Sequence, residues 1–288
     1  MLIAFAIAGL MLTTIISGLV WTSMTGQDFK NYLDGIKNPD NADAYRVIQV
    51  IMAVCSYLLP AIFTAWLINR KPLQLLGFSG QIQLSQAGLS ILIMLIALFV
   101  GTALAYFNHI IPLPTSWRTR FDQWESEYNQ QVESIVQLRN GKDYIIALIV
   151  MGFVPALCEE TLFRGGLQNF LTRSSKNYWL SIIIVSLIFS AAHSSYYGFL
   201  SRLFLGIVLG LIYQYSGRLW LSVLAHFVNN AIAISVLYYY KTEGKSITET
   251  TKDVNTGWWA IFLLPLMIGL LIYLKKASSP AKNTLNTQ

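Results

Sequence analysis

Two adjacent glutamates, Glu159 and Glu160, follow directly on an apolar run, and Arg164 lies four residues after the second of them. Placing a charge at the centre of a bilayer costs roughly 2.5–3.5 kcal/mol on insertion scales, so charges kept in an apolar segment usually have a use. Glu160 and Arg164 share a helix face and can form an ion pair, which offsets part of the cost of burying each charge.

Glu159 is turned by about 100° from Glu160 around the helix axis. If the arginine holds Glu160, the side chain of Glu159 points elsewhere and is free to accept or donate a proton. A carboxylate with that freedom can activate a water molecule as a general base. We therefore predict different roles for the two glutamates.

Two histidines complete the pattern. His193 ends the segment Phe-Ser-Ala-Ala-His, whose small residues let a neighbouring helix approach closely. His226 and Asn230 are four residues apart, and a histidine and an amide that face one point can donate two hydrogen bonds to a developing oxyanion. Because these residues lie on three apolar segments and include most of the ionisable groups within such segments, we predict that they form one site.

Each element alone also has a structural interpretation. A buried Glu–Arg pair can simply stabilise a fold, and a single histidine in a transmembrane helix can bond to a neighbouring helix. Arg202 is interpreted mainly as a packing residue, because it begins a stretch in which Gly206 and Gly210 suit close contact between helices. Cys55 and Cys158 both lie in apolar runs and are interpreted as inert core thiols.

The elements that must position these residues are membrane-spanning helices. The chain of 288 residues is 55% hydrophobic and only 12% charged, whereas soluble domains carry about 25% charged residues. Eight apolar runs approach the ~20 residues that cross a bilayer: 2–21, 47–68, 87–111, 143–162, 178–195, 199–215, 219–239 and 258–274. We predict an all-α polytopic bundle of about eight spans in a single membrane domain, 1–276, with the motifs in 143–240 and a disordered polar tail at 277–288.

One loop between spans carries its own periodic pattern. Apolar residues recur every three or four positions between residues 117 and 138, and the positions between them are mostly polar: Phe121, Trp124, Tyr128, Val132 and Ile135. This spacing predicts an amphipathic helix. Such a helix lies on the membrane surface or caps the bundle, or forms a lid over a site.

Basic residues in the short loops favour an orientation with both termini in the cytoplasm. They are Arg70, Lys71, Arg173, Lys176, Arg218, Lys275 and Lys276. The formal charge of +6 needs no nucleic-acid partner, since Lys and Arg in membrane-protein loops set orientation and contact anionic lipid. The expected partners are the lipid bilayer and a membrane-associated peptide or protein.

The segments EETLFR, FSAAH and HFVNN match the EExxxR, FxxxH and HxxxN motifs, and on them the chain is identified as a member of the CPBP family. This family contains CAAX prenyl endopeptidases and bacteriocin-processing or immunity proteins, often called Abi. The glycine-rich segment between the second and third motifs is also similar. The resemblance implies peptide-bond hydrolysis within a membrane, here expected to be the cytoplasmic membrane of a bacterium.

The resemblance also implies a role for each motif residue. Glu159 and His193 would activate a water, and Glu160 with Arg164 would orient the site. His226 and Asn230 would stabilise the oxyanion. No cofactor is expected to be required. The alternative is zinc held by Glu159, His193 and His226, although the chain lacks the HExxH spacing in which one helix presents two histidines to the ion.

Two other functions fit some of the same residues. A non-catalytic scaffold or immunity factor would bind a peptide or partner in the same cavity. A proton-coupled transporter would relay protons through buried acids and histidines, but it predicts broken helices in matching halves, a pattern that the sequence lacks.

The predicted boundaries also create a conflict. They place Glu159 near the inner end of the fourth span and His193 near the outer end of the fifth, roughly 15–20 Å apart in depth. Either the fourth span is displaced and strongly tilted, or the fifth begins well below the membrane surface.

Overall fold

A computed structural model describes residues 1–35, 38–78, 80–136, 138–244 and 257–278 of the chain. These residues form helices and connecting turns without a β-strand. The longer helices, numbered along the chain, are α1 (Leu2–Thr25), α2 (Ala42–Ile68), α3 (Leu84–Ile110), α4 (Thr115–Val136), α5 (Gly141–Ser175), α6 (Tyr178–Ala191), α7 (Phe199–Ser216), α8 (Leu219–Thr242) and α9 (Trp258–Ser278).

Seven of the described helices are long and apolar enough to cross a membrane, and α6 is a shorter apolar helix of 14 residues. The prediction of an all-α polytopic bundle is confirmed. The amphipathic segment forms α4, as predicted. The last helix runs to Ser278, so the predicted tail begins two residues too early, and residues 279–288 lie outside the described part of the chain.

The main core lies where α3, α6, α7, α8 and α9 meet. Its fully buried members include Ile93, Ile182, Leu209, Leu221 and Leu274. In α1, by contrast, only 11% of the apolar window is buried, against 44% in α5. Helix α1 therefore lies at the periphery with most of its apolar surface turned outward, and α5 is a central helix.

The predicted close packing at Gly206 is present. A Cβ atom at this position would come 3.0 Å from the Cβ atom of Ser186 on α6. The absence of a side chain on α7 at this point lets α6 and α7 approach each other closely, and α6 carries the chain toward His193.

Wide helical turns interrupt α2 and α5. The segment Val54–Leu58 in α2 is a π-helix that precedes Pro60, and Leu148–Phe153 in α5 is a π-helix that precedes Pro155. Proline removes one backbone donor and its ring clashes with the carbonyl four residues earlier, which a wider turn relieves. A third π segment, Thr161–Gln168, follows the two glutamates.

The lengths of α5 and α6 remove the conflict in depth. Helix α5 has 35 residues, or ~52 Å at 1.5 Å per residue, and it continues to Ser175 rather than ending at Leu162. Glu159 therefore lies near the middle of α5, not near its inner end. The predicted fifth span was also too long, because α6 ends at Ala191 and His193 lies in the turn that follows.

Candidate active site

Glu160 is fully buried, and three side chains donate hydrogen bonds to its carboxylate. Arg164 Nη1 lies 2.6 Å and His226 Nδ1 lies 2.9 Å from Oε1. The hydroxyl of Ser222 donates to Oε2. The ion pair predicted from the spacing of Glu160 and Arg164 is thus present, and the same carboxylate also holds a residue of the third motif.

Arg164 is also fully buried and makes two further contacts across the bundle. Its Nη2 donates to the carbonyl oxygen of Gly206 at 3.2 Å. Its guanidinium carbon lies 4.6 Å from the centre of the Phe189 ring, at which distance a cation and an aromatic face attract each other. The phenylalanine of the second motif therefore packs on the arginine of the first.

Glu159 has a different environment from its neighbour. Its side chain is 16% exposed, and its Oε2 atom is buried without a hydrogen-bond partner among the described residues. Nε2 of His226 lies 4.0 Å from this atom, beyond hydrogen-bond distance. As predicted, the two adjacent glutamates point into different surroundings.

Glu159 borders a cavity of about 810 Å³. The cavity lies between α2, α4, α5, α8 and the turn after α6. Its wall contains Gln49, Met52, Tyr57, Trp124, Glu127, Tyr128, Val132, Met151, Pro155, Glu159, Phe163, Ala191, Ala192, His193, Ser194, His226 and Asn230. Four of the six predicted site residues therefore face one space, and the other two, Glu160 and Arg164, lie behind them.

His193 reaches this cavity from the end of α6. Its Nδ1 atom lies 2.8 Å from the carbonyl oxygen of Phe189. Because a carbonyl can only accept, Nδ1 carries the proton, and the ring is neutral with Nε2 as an acceptor unless it is doubly protonated. The next residue, Ser194, has a positive φ of 51°, which turns the chain sharply after the histidine.

His226 and Asn230 line the same cavity from α8, but part of their donor capacity is in use. Nδ1 of His226 donates to Glu160, so its Nε2 can donate to a substrate only when the ring carries two protons. Asn230 donates to the carbonyl of Gly152 at 3.3 Å and accepts from Asn229 at 3.0 Å. One N–H of the Asn230 amide remains for a ligand.

Helix α4 contributes four side chains to the cavity wall and holds the turn that carries His193. The hydroxyl of Ser195 donates to Glu125 at 2.7 Å, and the hydroxyl of Tyr197 donates to Asp122 at 2.5 Å. Partial burial, together with the Asp122 carboxylate, raises the pKa of Tyr197 to about 12, so this donor keeps its proton at neutral pH. The predicted amphipathic helix thus lines the cavity.

Arg202 lies next to this wall. Its guanidinium carbon is 5.2 Å from the centre of the Tyr128 ring. This contact agrees with the interpretation of Arg202 as a packing residue, here between α7 and α4.

The alternative to a metal-free site is zinc held by Glu159, His193 and His226. Among the described residues, no three His, Cys, Asp or Glu side chains are grouped so that they could hold a metal ion. The arrangement therefore does not fit a three-ligand zinc site, and no step of the chemistry below is assigned to a metal.

Sequence reasoning missed two residues of this site. Ser222 lies one helical turn before His226, so the two share a helix face. This spacing could have identified Ser222 from the sequence. Tyr57 lies in the wall beside Glu159 but comes from α2, and no spacing in the sequence connects it with the motifs.

Part of the chain, from α5 into α8, is similar to known proteins. Residues 141–232 match the family described as Rce1-like, type II CAAX prenyl endopeptidase. An uncharacterized 24.3 kDa protein of Escherichia coli is 42% identical over 88 residues, which are 29% of this chain and 41% of that protein. The uncharacterized protein YpbD of Bacillus subtilis is 33% identical over 96 residues, which are 32% of this chain and 46% of that protein.

The chain thus spans less than half the length of either relative, and no solved structure matches it. The segment that matches the family begins with α5 and ends just after Asn230, so it contains every predicted site residue. Over this segment, the chain is similar to the Rce1-like type II CAAX prenyl endopeptidases, which supports the resemblance to the CPBP family that the motifs indicate.

Proposed function

We propose that the protein is a membrane-embedded endopeptidase that hydrolyses a peptide bond of a membrane-associated peptide or protein. The proposal rests on the different hydrogen-bonding environments of the two adjacent glutamates. Glu160 has three hydrogen-bond donors, whereas Glu159 faces a cavity with an unpaired oxygen. A buried carboxylate that lacks a partner is costly, and its position beside two histidines supports a role in proton transfer.

The proposed reaction begins with a water held between Glu159 and His193. Glu159 removes a proton from the water as the oxygen attacks the carbonyl carbon of the substrate, and Nε2 of His193 accepts the second hydrogen bond and orients it. Attack forms a tetrahedral intermediate with a negative oxygen. Glu159 then passes its proton to the amide nitrogen, the C–N bond breaks, and the products are a carboxylate and an amine.

The oxyanion of the intermediate requires donors that are already in place. The free N–H of Asn230 and a protonated Nε2 of His226 serve this role from α8. Glu160 fixes the orientation of His226 by accepting from Nδ1, and Arg164 and Ser222 fix Glu160 in turn. The substrate lies in the cavity that α2, α4, α5 and α8 line.

The test uses the full chain in phospholipid vesicles with a randomised library of lipid-anchored, internally quenched peptides. Glu159→Gln and His193→Ala should lower the hydrolysis rate by about 10²–10⁴-fold without loss of folded protein. Asp143→Asn is the matched control, because Asp143 is a carboxylate on the same helix outside the cavity wall. If wild type is no faster than Glu159→Gln, the protein is a non-catalytic scaffold or immunity factor.

The proposed reaction uses no cofactor. Dialysis of the purified protein against a chelator should leave the hydrolysis rate unchanged, and metal analysis should find less than one zinc per chain. Stoichiometric zinc that is lost in His193→Ala would replace the glutamate-activated water with a metal-bound one.

We further propose that the chain lies in a bacterial cytoplasmic membrane with both termini inside, so that α4 lies on the outer face. In a cysteine-free background, a cysteine at Ser126 of α4 should react with an impermeant maleimide in intact cells. A cysteine at Lys276 should react only after lysis. The opposite labelling pattern would reverse the orientation and leave the enzymatic proposal intact.

A further inference from the structure

Tyr57 is a residue of the cavity wall that the reaction described above does not use. It lies in the π segment of α2, and its ring centre is 6.2 Å from that of Phe163. Phe163 follows Glu159 by one turn on α5, and both line the cavity together with Tyr57. The phenol therefore comes from a different helix to the wall that contains the proposed base.

The hydroxyl of Tyr57 is available for a ligand. Among the described residues it has no hydrogen-bond partner, although the side chain is half-buried. Glu159 lies close enough to act on it electrostatically. Because Tyr57 and Glu159 line the same cavity and this hydroxyl is not among the buried atoms that lack a partner, the phenol is open to a molecule bound in the cavity.

The other donors of the site are partly committed. Nδ1 of His193 and Nδ1 of His226 both donate hydrogen bonds to protein oxygens. One of the two side-chain N–H groups of Asn230 donates to the carbonyl of Gly152. A neutral His226 has no proton on Nε2 to give. In that state the oxyanion would receive one hydrogen bond from α8, and a second preorganised donor is missing.

We propose that Tyr57 is a further catalytic residue, whose hydroxyl donates a hydrogen bond to the carbonyl oxygen of the scissile peptide bond as this oxygen becomes negative. The proposal rests on the endopeptidase function above. Tyr57 keeps its proton throughout, because the proton taken from water travels through Glu159 to the leaving nitrogen. The phenol stabilises charge and makes or breaks no covalent bond.

The test compares Tyr57→Phe with wild type on the library peptide that the wild-type protein cleaves fastest. Loss of an oxyanion donor should lower kcat by about 100-fold and leave KM within about twofold. Tyr45→Phe is the matched control, because Tyr45 lies on the same helix outside the cavity wall, where its hydroxyl donates to the carbonyl of Tyr32. This variant should keep the wild-type kcat.

A second measurement separates an oxyanion donor from a positioning residue. A phosphinate analogue of the same peptide carries a negative tetrahedral group in place of the scissile bond. Its inhibition constant should rise in Tyr57→Phe by about the factor that kcat falls. An unchanged kcat, a lower kcat with an unchanged inhibition constant, or a higher KM alone would each overturn the proposal.

These outcomes differ from a failure of the endopeptidase function itself. That function fails if wild type and Glu159→Gln hydrolyse the library equally slowly. An active wild type with an equally active Tyr57→Phe variant would remove only the role of Tyr57.

Discussion

The two sides of α5 differ at adjacent residues. On the closed side, the charge of Glu160 is compensated by Arg164, and Ser222 and His226 complete the set of donors. On the cavity side, Glu159 has an oxygen without a partner. The closed side stabilises the bundle and orients His226, and the open side borders the cavity in which we propose that a substrate and a water bind.

A third charged region shows that burial of charge alone does not indicate a site. At the start of α5, Asp143 pairs with Arg46 at 3.4 Å and with Arg139 at 3.7 Å, and Arg46 also pairs with Asp43 at 2.9 Å. Here the acids face basic side chains, and none of these four residues lines the cavity. The missing partner, and not the buried charge, distinguishes Glu159.

The largest expected loss of stability follows from Arg164→Met. This variant leaves the buried carboxylate of Glu160 without its cation, which typically lowers the free energy of unfolding by roughly 3–5 kcal/mol. Thermal unfolding in detergent measures the change. Glu160→Gln/Arg164→Met removes both charges and should be more stable than Arg164→Met alone. A double variant that is less stable than the single one would contradict the pairing.

A smaller loss is expected from Ser222→Ala, which removes one donor to the Glu160 carboxylate. Hydrogen bonds to charged groups contribute about 1.5–3 kcal/mol, and kcat should fall several-fold because His226 is then held less firmly. Ser216→Ala is the control, since the hydroxyl of Ser216 contacts only backbone atoms. Equal effects of the two substitutions on kcat would remove Ser222 from the site.

Asp143→Asn tests the contrast between the structural ion pairs and the cavity. Loss of the partly buried pair with Arg46 should lower the free energy of unfolding by about 1–2 kcal/mol. The hydrolysis rate per folded molecule should stay at the wild-type value. A rate that falls along with stability would mean that the start of α5 also contributes to catalysis.

The smallest expected effect comes from Glu125→Ala on α4. It removes the acceptor of the Ser195 hydroxyl, at a cost of about 0.5–1.5 kcal/mol. Because Ser195 lies two residues after His193, kcat should fall a few-fold more than in Thr119→Ala, a variant on the same helix whose exposed hydroxyl donates only to the carbonyl of Thr115. Indistinguishable rates for the two variants would show that α4 does not position the histidine.

Local spacing made much of this arrangement predictable. Apolar run lengths give the spans, and the interval between Glu160 and Arg164 gives their ion pair. The end of α5 was not predictable in this way, because the polar residues after Leu162 are typical of the end of a membrane span. Their polar side chains bond instead to neighbouring backbones: Gln168 donates to Gly210 at 2.9 Å and Asn169 donates to Leu75 at 2.6 Å.

The partners of His226 and the position of Tyr57 depend on how separate helices pack. The sequence shows that His226 and Asn230 share a helix face. It does not show which ring nitrogen of His226 donates a hydrogen bond to Glu160. This contact changes the expected chemistry, because it leaves Nε2 without a proton in the neutral ring. Tyr57 enters the cavity from α2, and only the contact between α2 and α5 brings it near Glu159.

The most direct test measures thermal unfolding and peptide hydrolysis on the same preparations of wild type, Glu159→Gln and Glu160→Gln. Glu159→Gln should keep or raise the unfolding temperature and lose hydrolysis, because it removes an unpaired buried charge and the base together. Glu160→Gln should unfold at a lower temperature, because Arg164 loses its counter-charge. A Glu159→Gln variant that hydrolyses at the wild-type rate, or is destabilised as much as Glu160→Gln, would contradict the division of roles between the two glutamates.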